Sequence, residues 1–180
     1  DPGEPRPGSS EEAERETRLA EFQATAERLG AEHAFLNFPH YPTVGRETVL
    51  PCIREIRSFR PDAVLVLSET DYHAEHQQVA RIVKRAVWHA GRNAFPDHGA
   101  PHVVRELWEA EGDRPMFDPN YLEDISDVIA GKEKLFETYR SQLSRKQFVE
   151  AFKGLNRFRG VMYKRGEYAE AFKVTTFFYG

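Results

Sequence analysis

Asp62-Ala63-Val64-Leu65-Val66-Leu67-Ser68-Glu69-Thr70-Asp71-Tyr72-His73-Ala74-Glu75-His76-Gln77-Gln78-Val79 is the stretch whose reading decides the fold. Asp62 to Leu67 is a short, largely apolar run rich in β-branched residues, and from Ser68 onward the pattern turns polar and then helical. That succession predicts a buried strand feeding a helix, with the polar residues at the strand's carboxyl end. In open α/β sheets this is where ligands bind. His73 and His76 are three apart, so at the start of a helix both imidazoles share one face, with Cβ atoms about 5–6 Å apart. A divalent zinc suits such a pair, because neutral imidazole is a common ligand and a catalytic zinc keeps one position open for water. The same spacing also fits two exposed or capping histidines in a first helical turn. The rest of the chain has to choose between these readings.

With 180 residues and 20.8 kDa, 40 % hydrophobic and 30 % charged, the chain suits a single α/β domain over residues 1–180; two independent domains would be crowded. A net charge of −4 and a pI near 6.0, with the basic residues scattered, argue against nucleic acid as a partner. No apolar run approaches the roughly 18–20 residues a bilayer span needs, and the polar, acidic amino end is unlike a signal peptide. The expectation is a soluble, cytoplasmic protein. Cys52 is the only cysteine, which rules out an intramolecular disulfide and agrees with a reducing compartment; its spacing reads as a small apolar residue on a helix face. Residues 1–9 read as a Pro/Gly loop, and residue 1 is Asp.

The remaining elements follow from periodicity and breakers. Ser9-Ser10-Glu11-Glu12 resembles a capping box opening a helix that Gly30 ends, with Leu19, Phe22, Ala26 and Leu29 inward. Ala34 to Phe38 predicts a strand stopped by Pro39, and Glu47 to Phe59 a helix with Val49, Ile53 and Ile56 inward. The helix after the histidine pair runs to Gly91, with His89 on the surface of its last turn. Val103 to Trp108 and Tyr121 to Ile125 predict strands, Ser126 a helix cap, Phe148 to Val161 a helix with an aromatic core stripe, and Tyr168 to Val174 a final strand. The order of elements implies a mostly parallel, Rossmann-like sheet flanked by helices. It also begins with a helix where such a domain would begin with a strand.

Taken together these segments resemble the PIG-L/LmbE-like deacetylases, zinc enzymes that remove an acetyl group from N-acetylglucosamine-containing compounds. The likeness runs from about Ser9 to Phe178. It rests on Arg18-x-x-Glu21, Phe35-Leu36-x-Phe38-Pro39, Arg60-Pro61-Asp62, Asp71-Tyr72-His73-x-x-His76, Pro101-His102-x-Val104-Arg105, Asp124-Ile125-Ser126-Asp127, Arg140-Ser141-Gln142 and Tyr168-Ala169-Glu170-Ala171-Phe172. The run Ala86-Val87-Trp88-x-Ala90-Gly91 further resembles the branch that deacetylates glucosaminyl-malate in bacillithiol synthesis.

The resemblance implies His76 as the metal ligand and His73 as the group that steadies the tetrahedral intermediate or protonates the leaving amine. It implies Arg18 as a contact to the sugar. Arg105 would lie at the active-site rim, and Glu170 would be a carboxylate orienting His73. His40 stands where the family usually has an Asp touching substrate. The cofactor implied is Zn2+, although iron, cobalt or manganese would also accept these ligand types. The partner implied is a small-molecule amino-sugar conjugate, and homo-oligomer formation is left open. The family's His-Pro-Asp-Asp motif, source of two zinc ligands and the general base, does not occur, and none of the 7 histidines is followed three positions later by Asp or Glu. On this reading the chain starts in the loop after the family's second strand and lacks an N-terminal segment of roughly 40–50 residues, about one β-α-β unit. The competing reading is a non-catalytic α/β module that binds a sugar or nucleotide, since one His-x-x-His cannot supply the three protein ligands of a catalytic zinc.

Overall fold

The computed structural model describes residues 10–39, 41–143 and 147–177. They group into two compact units, one formed by residues up to 35 with 124–169, the other by residues 36–123 with 170 onward. The second unit carries the sheet and the histidine pair. It contains α2 (Arg46–Phe59), β1 (Ala63–Leu67), α3 (Ala74–Ala90), a 3-10 turn (Pro96–His98), β2 (Glu106–Ala110), most of β3 (Tyr121–Asp124) and most of β4 (Ala169–Thr176).

The strand order is β1-β2-β4-β3. β1 and β2 run parallel, from Ala63 opposite Glu106 to Leu67 opposite Ala110, and Ser68 N–H adds a bond of 3.0 Å to Ala110 C=O. β4 runs antiparallel to β2, Ala110 facing Phe172. The fold class is α/β as expected, with a mixed sheet in place of a mostly parallel one. Strand direction depends on where the chain re-enters the sheet, and no local pattern records that. β1 is an edge among the described strands, so it is half-buried: Val66 faces the core while Leu65 is exposed.

Packing of two helices on β1 and β2 makes the core. Val49, Cys52, Ile53 and Ile56 of α2 meet Ala80, Ile82, Ala86, Val87 and Ala90 of α3 over Val66, Val104 and Leu107. The apolar positions recur at three and four, which puts them on one stripe of each helix. Pro51 is the sixth residue of α2, where its missing N–H forfeits the bond to Glu47 C=O that the second turn would otherwise make. Charged groups join α3 to the strand tips: Lys84 reaches Glu69 at 3.0 Å and Glu109 at 2.9 Å, and Arg81 reaches Glu69 at 2.8 Å. Burial alone would lower the Lys84 pKa, yet the hydrogen bonds to Glu109 and Glu69 raise it above the ordinary lysine value. Hydrogen bonds from Arg81 and Lys84 hold Glu69 below the usual carboxylate range.

The first unit is helical: α1 (Glu11–Leu29), α4 (Ile129–Phe136), α5 (Arg140–Leu143) and α6 (Phe148–Met162). Ser10 caps α1 by accepting Ala13 N–H, and Gly30 ends it at φ 63°, a left-handed conformation cheap only for glycine. Glu21, in the Arg18-x-x-Glu21 segment, accepts the Ser141 N–H at 2.9 Å and its hydroxyl at 2.7 Å. Phe136 and Phe148 both stack on Phe152, but the core stripe expected along α6 stops short of its end, where Phe158 and Val161 are exposed.

Three further expectations are corrected. Residues 34–38 form no strand; Asn37 sits at φ 55°, which an extended ladder cannot accommodate. Ser126 is not a helix cap, because its hydroxyl accepts the N–H groups of Glu167 and Tyr168 at 2.8 and 3.0 Å, and α4 starts only at Ile129. The strand expected at 103–108 runs three residues later in its start, where its register with β1 begins. Among the described residues no helix is long and apolar enough to cross a membrane.

Candidate active site at the tip of β1

Beyond Leu67 the chain makes a tight polar turn before α3. Asp71 N–H bonds to Ser68 C=O at 3.1 Å, Thr70 N–H to Ser68 Oγ at 3.2 Å, and His73 N–H to Asp71 Oδ1 at 3.0 Å. The last is an Asx turn, the local bond that makes Asp common just ahead of helices. It leaves His73 as the N-cap of α3 and His76 three residues on, one helical turn apart on the same face. Their ring centroids are 4.8 Å apart. The spacing argument therefore holds at the level of geometry.

Two carboxylates stand behind the pair. Asp71 has a side chain 0 % exposed, and its Oδ2 lies 3.4 Å from His76 Nδ1. Asp113, from the loop after β2, brings its Oδ2 to 3.3 Å from His73 Nε2. The loop is fastened by its own backbone, since Asp113 N–H donates to Asp71 Oδ2 at 3.2 Å. Gly112 is required there, because a Cβ would overlap Asp71 Oδ2. Gln77 Nε2 donates to Asp71 C=O at 2.7 Å, tying the first turn of α3 to the same residue. Tyr72, more than half exposed, lays its ring against His73 at 4.3 Å between centroids.

Not every predicted residue joins this cluster. Glu170 is the second residue of β4, and the antiparallel register places it two residues past Ala110, at the same end of the sheet as the histidines. The carboxylate beside His73, however, is that of Asp113. Arg105 lies at the other end: its N–H bonds to Asp62 C=O and its Nε is 3.6 Å from Asp62 Oδ1, both side chains largely exposed. That is a strand's length, about 16 Å at ~3.3 Å per residue, from the tip of β1; the parallel register of β1 and β2 does not bring Arg105 to the pair. Arg18 lies half-buried on α1 in the first unit. His40 lies outside the described residues.

Asp71 and Asp113 are the residues that sequence reasoning missed. Asp71 stood inside the quoted stretch without a role, and Asp113 was given none. The Gly112-Asp113 step was the available signal, but its meaning depends on Asp71, 42 positions away. A cavity of about 190 Å³ also occurs, lined by Val44, Gly45, Arg46, Val49, Leu50, Arg85, His89 and Phe95. His89 is thirteen residues along α3 from His76, about 20 Å at ~1.5 Å per residue, so the cavity belongs to the opposite end of the helix.

Does this cluster fit a metal? His76 does: Nδ1 is buried without a hydrogen-bond partner and a carboxylate faces it, which is how a metal-ligating imidazole is commonly held at its non-ligating nitrogen. Among the described residues no three His, Cys, Asp or Glu side chains converge on a common point. Asp71 and Asp113 each face an imidazole and not a shared centre. A catalytic zinc at His76 therefore needs further ligands.

Comparison with known proteins decides the relationship. The PIG-L family, described as GlcNAc-PI de-N-acetylase, matches residues 1–87. The conserved protein TT1542 from Thermus thermophilus is 31 % identical, with a TM-score of 0.81 over 92 % of this chain and 76 % of that one. The chain belongs to the PIG-L/LmbE-like family. Two other solved structures share the PIG-L/LmbE-like fold at lower identity. GalB, the 4-carboxy-2-hydroxymuconate hydratase from Pseudomonas putida, is 21 % identical with a TM-score of 0.82, over 97 % of this chain and 78 % of that one. The N,N'-diacetylchitobiose deacetylase from Pyrococcus horikoshii, complexed with its inhibitor MPG, is 18 % identical with a TM-score of 0.72, over 94 % of this chain and 68 % of that one. A hydratase and a deacetylase on one fold make the residues at the strand tip, and not the fold, the basis for an activity. Membership of a family described by its de-N-acetylase supports a hydrolase-type activity for this chain.

Proposed function

We propose that the protein is a metal-dependent hydrolase that removes the acetyl group from an N-acetylglucosamine-containing small molecule, working in a reducing, cytoplasmic compartment. The observation that carries this reading is the pairing of His73 with Asp113 and of His76 with Asp71 at the tip of β1, in a chain of the PIG-L family. His76 would hold one position of the metal, Zn2+ in the first instance; when bound, such an ion supplies a Lewis acid and an acidified water.

His73 has the position and the chemistry of a proton donor. Its Nε2 lies 3.3 Å from Asp113 Oδ2, a carboxylate that would hold one ring nitrogen and orient the imidazole. Imidazole is suited to such transfer near neutrality. In the overall reaction the amide C–N bond breaks, the oxygen of water ends on the acetyl carbon, and the leaving nitrogen takes a proton that His73 delivers. The exposed ring of Tyr72 beside His73 offers a flat apolar surface for a sugar. Glu170 supplies a second carboxylate at the same sheet end, and Arg105 takes no part. The malate-conjugated substrate of the bacillithiol branch is one candidate within this class.

Acetate release from N-acetylglucosamine conjugates by the full-length protein, stripped with chelator and reloaded with zinc, tests the proposal. Activity that returns with zinc and falls at least ~100-fold in His73→Ala is the expected result, the range typical of losing a general acid or base. Zinc-loaded protein that releases no acetate from any such conjugate contradicts it. The absence of a three-ligand cluster among the described residues favours a second reading, a sugar-binding module without chemistry. Sugar binding by metal-free protein, with no turnover on reloading, would select that one.

A further inference from the structure

Asp71 is buried in a way that calls for explanation. A fully desolvated carboxylate is expensive unless hydrogen-bonded or paired, and among the described residues no Arg or Lys pairs with it. What it has instead are N–H groups. Oδ1 accepts from His73 N–H at 3.0 Å and Oδ2 from Asp113 N–H at 3.2 Å. A carboxylate has about four acceptor sites, so room remains for one more donor. His76 Nδ1 stands 3.4 Å from Oδ2, within ion-pairing reach but outside hydrogen-bonding geometry, and it is buried with no other partner. A small turn of the imidazole would close the bond.

An orphaned imidazole nitrogen is not decisive alone, since His89 and His98 also bury Nδ1 without a partner. His76 differs in having an anion directly opposite that nitrogen. Asp71 also reaches everything else at the tip: one oxygen sets the backbone of His73, the other fixes the loop that brings Asp113 to His73, and its own C=O holds Gln77.

We propose that Asp71 is a positioning residue that accepts a hydrogen bond from Nδ1–H of His76, fixing the tautomer that presents the Nε2 lone pair to a metal. This rests on the metal-dependent reading only for the ion; the tautomer is a property of the polypeptide alone. Asp71 thereby couples the ligand, the proton donor and the donor's carboxylate through one buried group.

The experiment is long-range 1H–15N correlation of the histidine rings in the full-length protein without metal, near pH 8.5, where imidazoles with ordinary pKa values are neutral. His76 is assigned by loss of its signals in His76→Gln. The expected result is His76 protonated on Nδ1 in the wild type, with Asp71→Asn losing that preference while Asp113→Asn keeps it. Zinc titration of the same proteins should show Asp71→Asn binding ~10–100-fold more weakly than the wild type, the usual cost of losing an outer partner, and Asp113→Asn unchanged. Wild-type His76 protonated on Nε2 overturns the proposal even if Asp71→Asn fails to fold. If His76 carries its proton on Nδ1 but no variant or wild type takes up zinc, the assignment of Asp71 stands and the metal-dependent function is what fails.

Discussion

The two ends of α3 handle buried polarity in different ways. At the carboxyl end Arg57, itself 4 % exposed, answers a whole group of carbonyls: Nε donates to Ala90, Nη1 to Phe95 and Gly99, and Nη2 to His89, Arg92 and Ala94, at 2.7 to 3.3 Å. The free C=O groups of a helix end, and of the loop behind it, are thus satisfied by one rigid guanidinium. At the amino end the buried charge is the Asp71 carboxylate, two backbone N–H groups satisfy it in part, and two imidazoles stand in front of it with one nitrogen unanswered. In the first arrangement the guanidinium spends its N–H groups on backbone carbonyls and keeps none for a ligand. The second retains bonding capacity where parallel strands open to their loops, and that is what separates a structural use of a buried charge from a functional one.

The contrast predicts an ordered series of effects. Arg57→Met should be the most damaging change, because it strands several buried carbonyls at once; a loss of at least about 3 kcal/mol in urea unfolding is expected, at ~1–3 kcal/mol for each acceptor left unsatisfied. Arg57→Lys should recover less than half of it, an ammonium lacking the fork geometry. Unfolding curves in which Arg57→Met matches the wild type would remove the structural half of the contrast. Gly112→Ala comes next, at about 1–3 kcal/mol for forcing Asp71 and the loop apart, and zinc affinity should suffer more than stability. Equal stability and affinity in this variant would mean the loop does not depend on its approach to Asp71.

Glu69→Gln is expected to cost well under about 1 kcal/mol, since the carboxylate is a third exposed and screened. Its sign with pH is definite. The folded-state pKa of Glu69 lies below the ordinary 4.5, so its contribution is present above that value and is lost as pH falls below it. The stability gap between wild type and variant should close on acidification, and a gap that widens instead would contradict the bonds to Arg81 and Lys84. The smallest effect is expected at Cys52. Burial pushes its thiol up to about 11, so a disulfide reagent at about pH 8 should leave the folded protein unlabelled and react only as it unfolds. Rapid labelling under native conditions would mean the α2–α3 core opens easily.

What the sequence revealed divides along physical lines. The apolar stripes of α2 and α3, the strand at Ala63–Leu67 and the shared face of His73 and His76 are consequences of spacings of two, three and four residues, and all were legible. The partners that give those residues their setting were not. Arg57 reaches acceptors 32 to 42 positions away, and Asp113 reaches Asp71 across 42; no local pattern contains such pairs. Residues 34–38 had the composition of a strand, but composition cannot supply the neighbouring strand that pairing requires. The place of Arg105 beside Asp62 was hidden for a related reason, since alternation along β2 does not reveal which end of the sheet a residue occupies. Family resemblance filled part of this gap by giving His73 and His76 their roles, while Asp71 and Asp113 emerge only from the fold that brings them to the pair.

Zinc binding to the full-length protein, compared between wild type and His76→Ala by calorimetric titration with circular dichroism as the check on folding, bears on the site more than any other single test. One equivalent bound by the wild type, and affinity reduced ~100-fold or more in a folded His76→Ala, is the expected result for removing a first ligand. Wild-type affinity retained in His76→Ala would place the metal elsewhere and leave the tip of β1 without its chemistry.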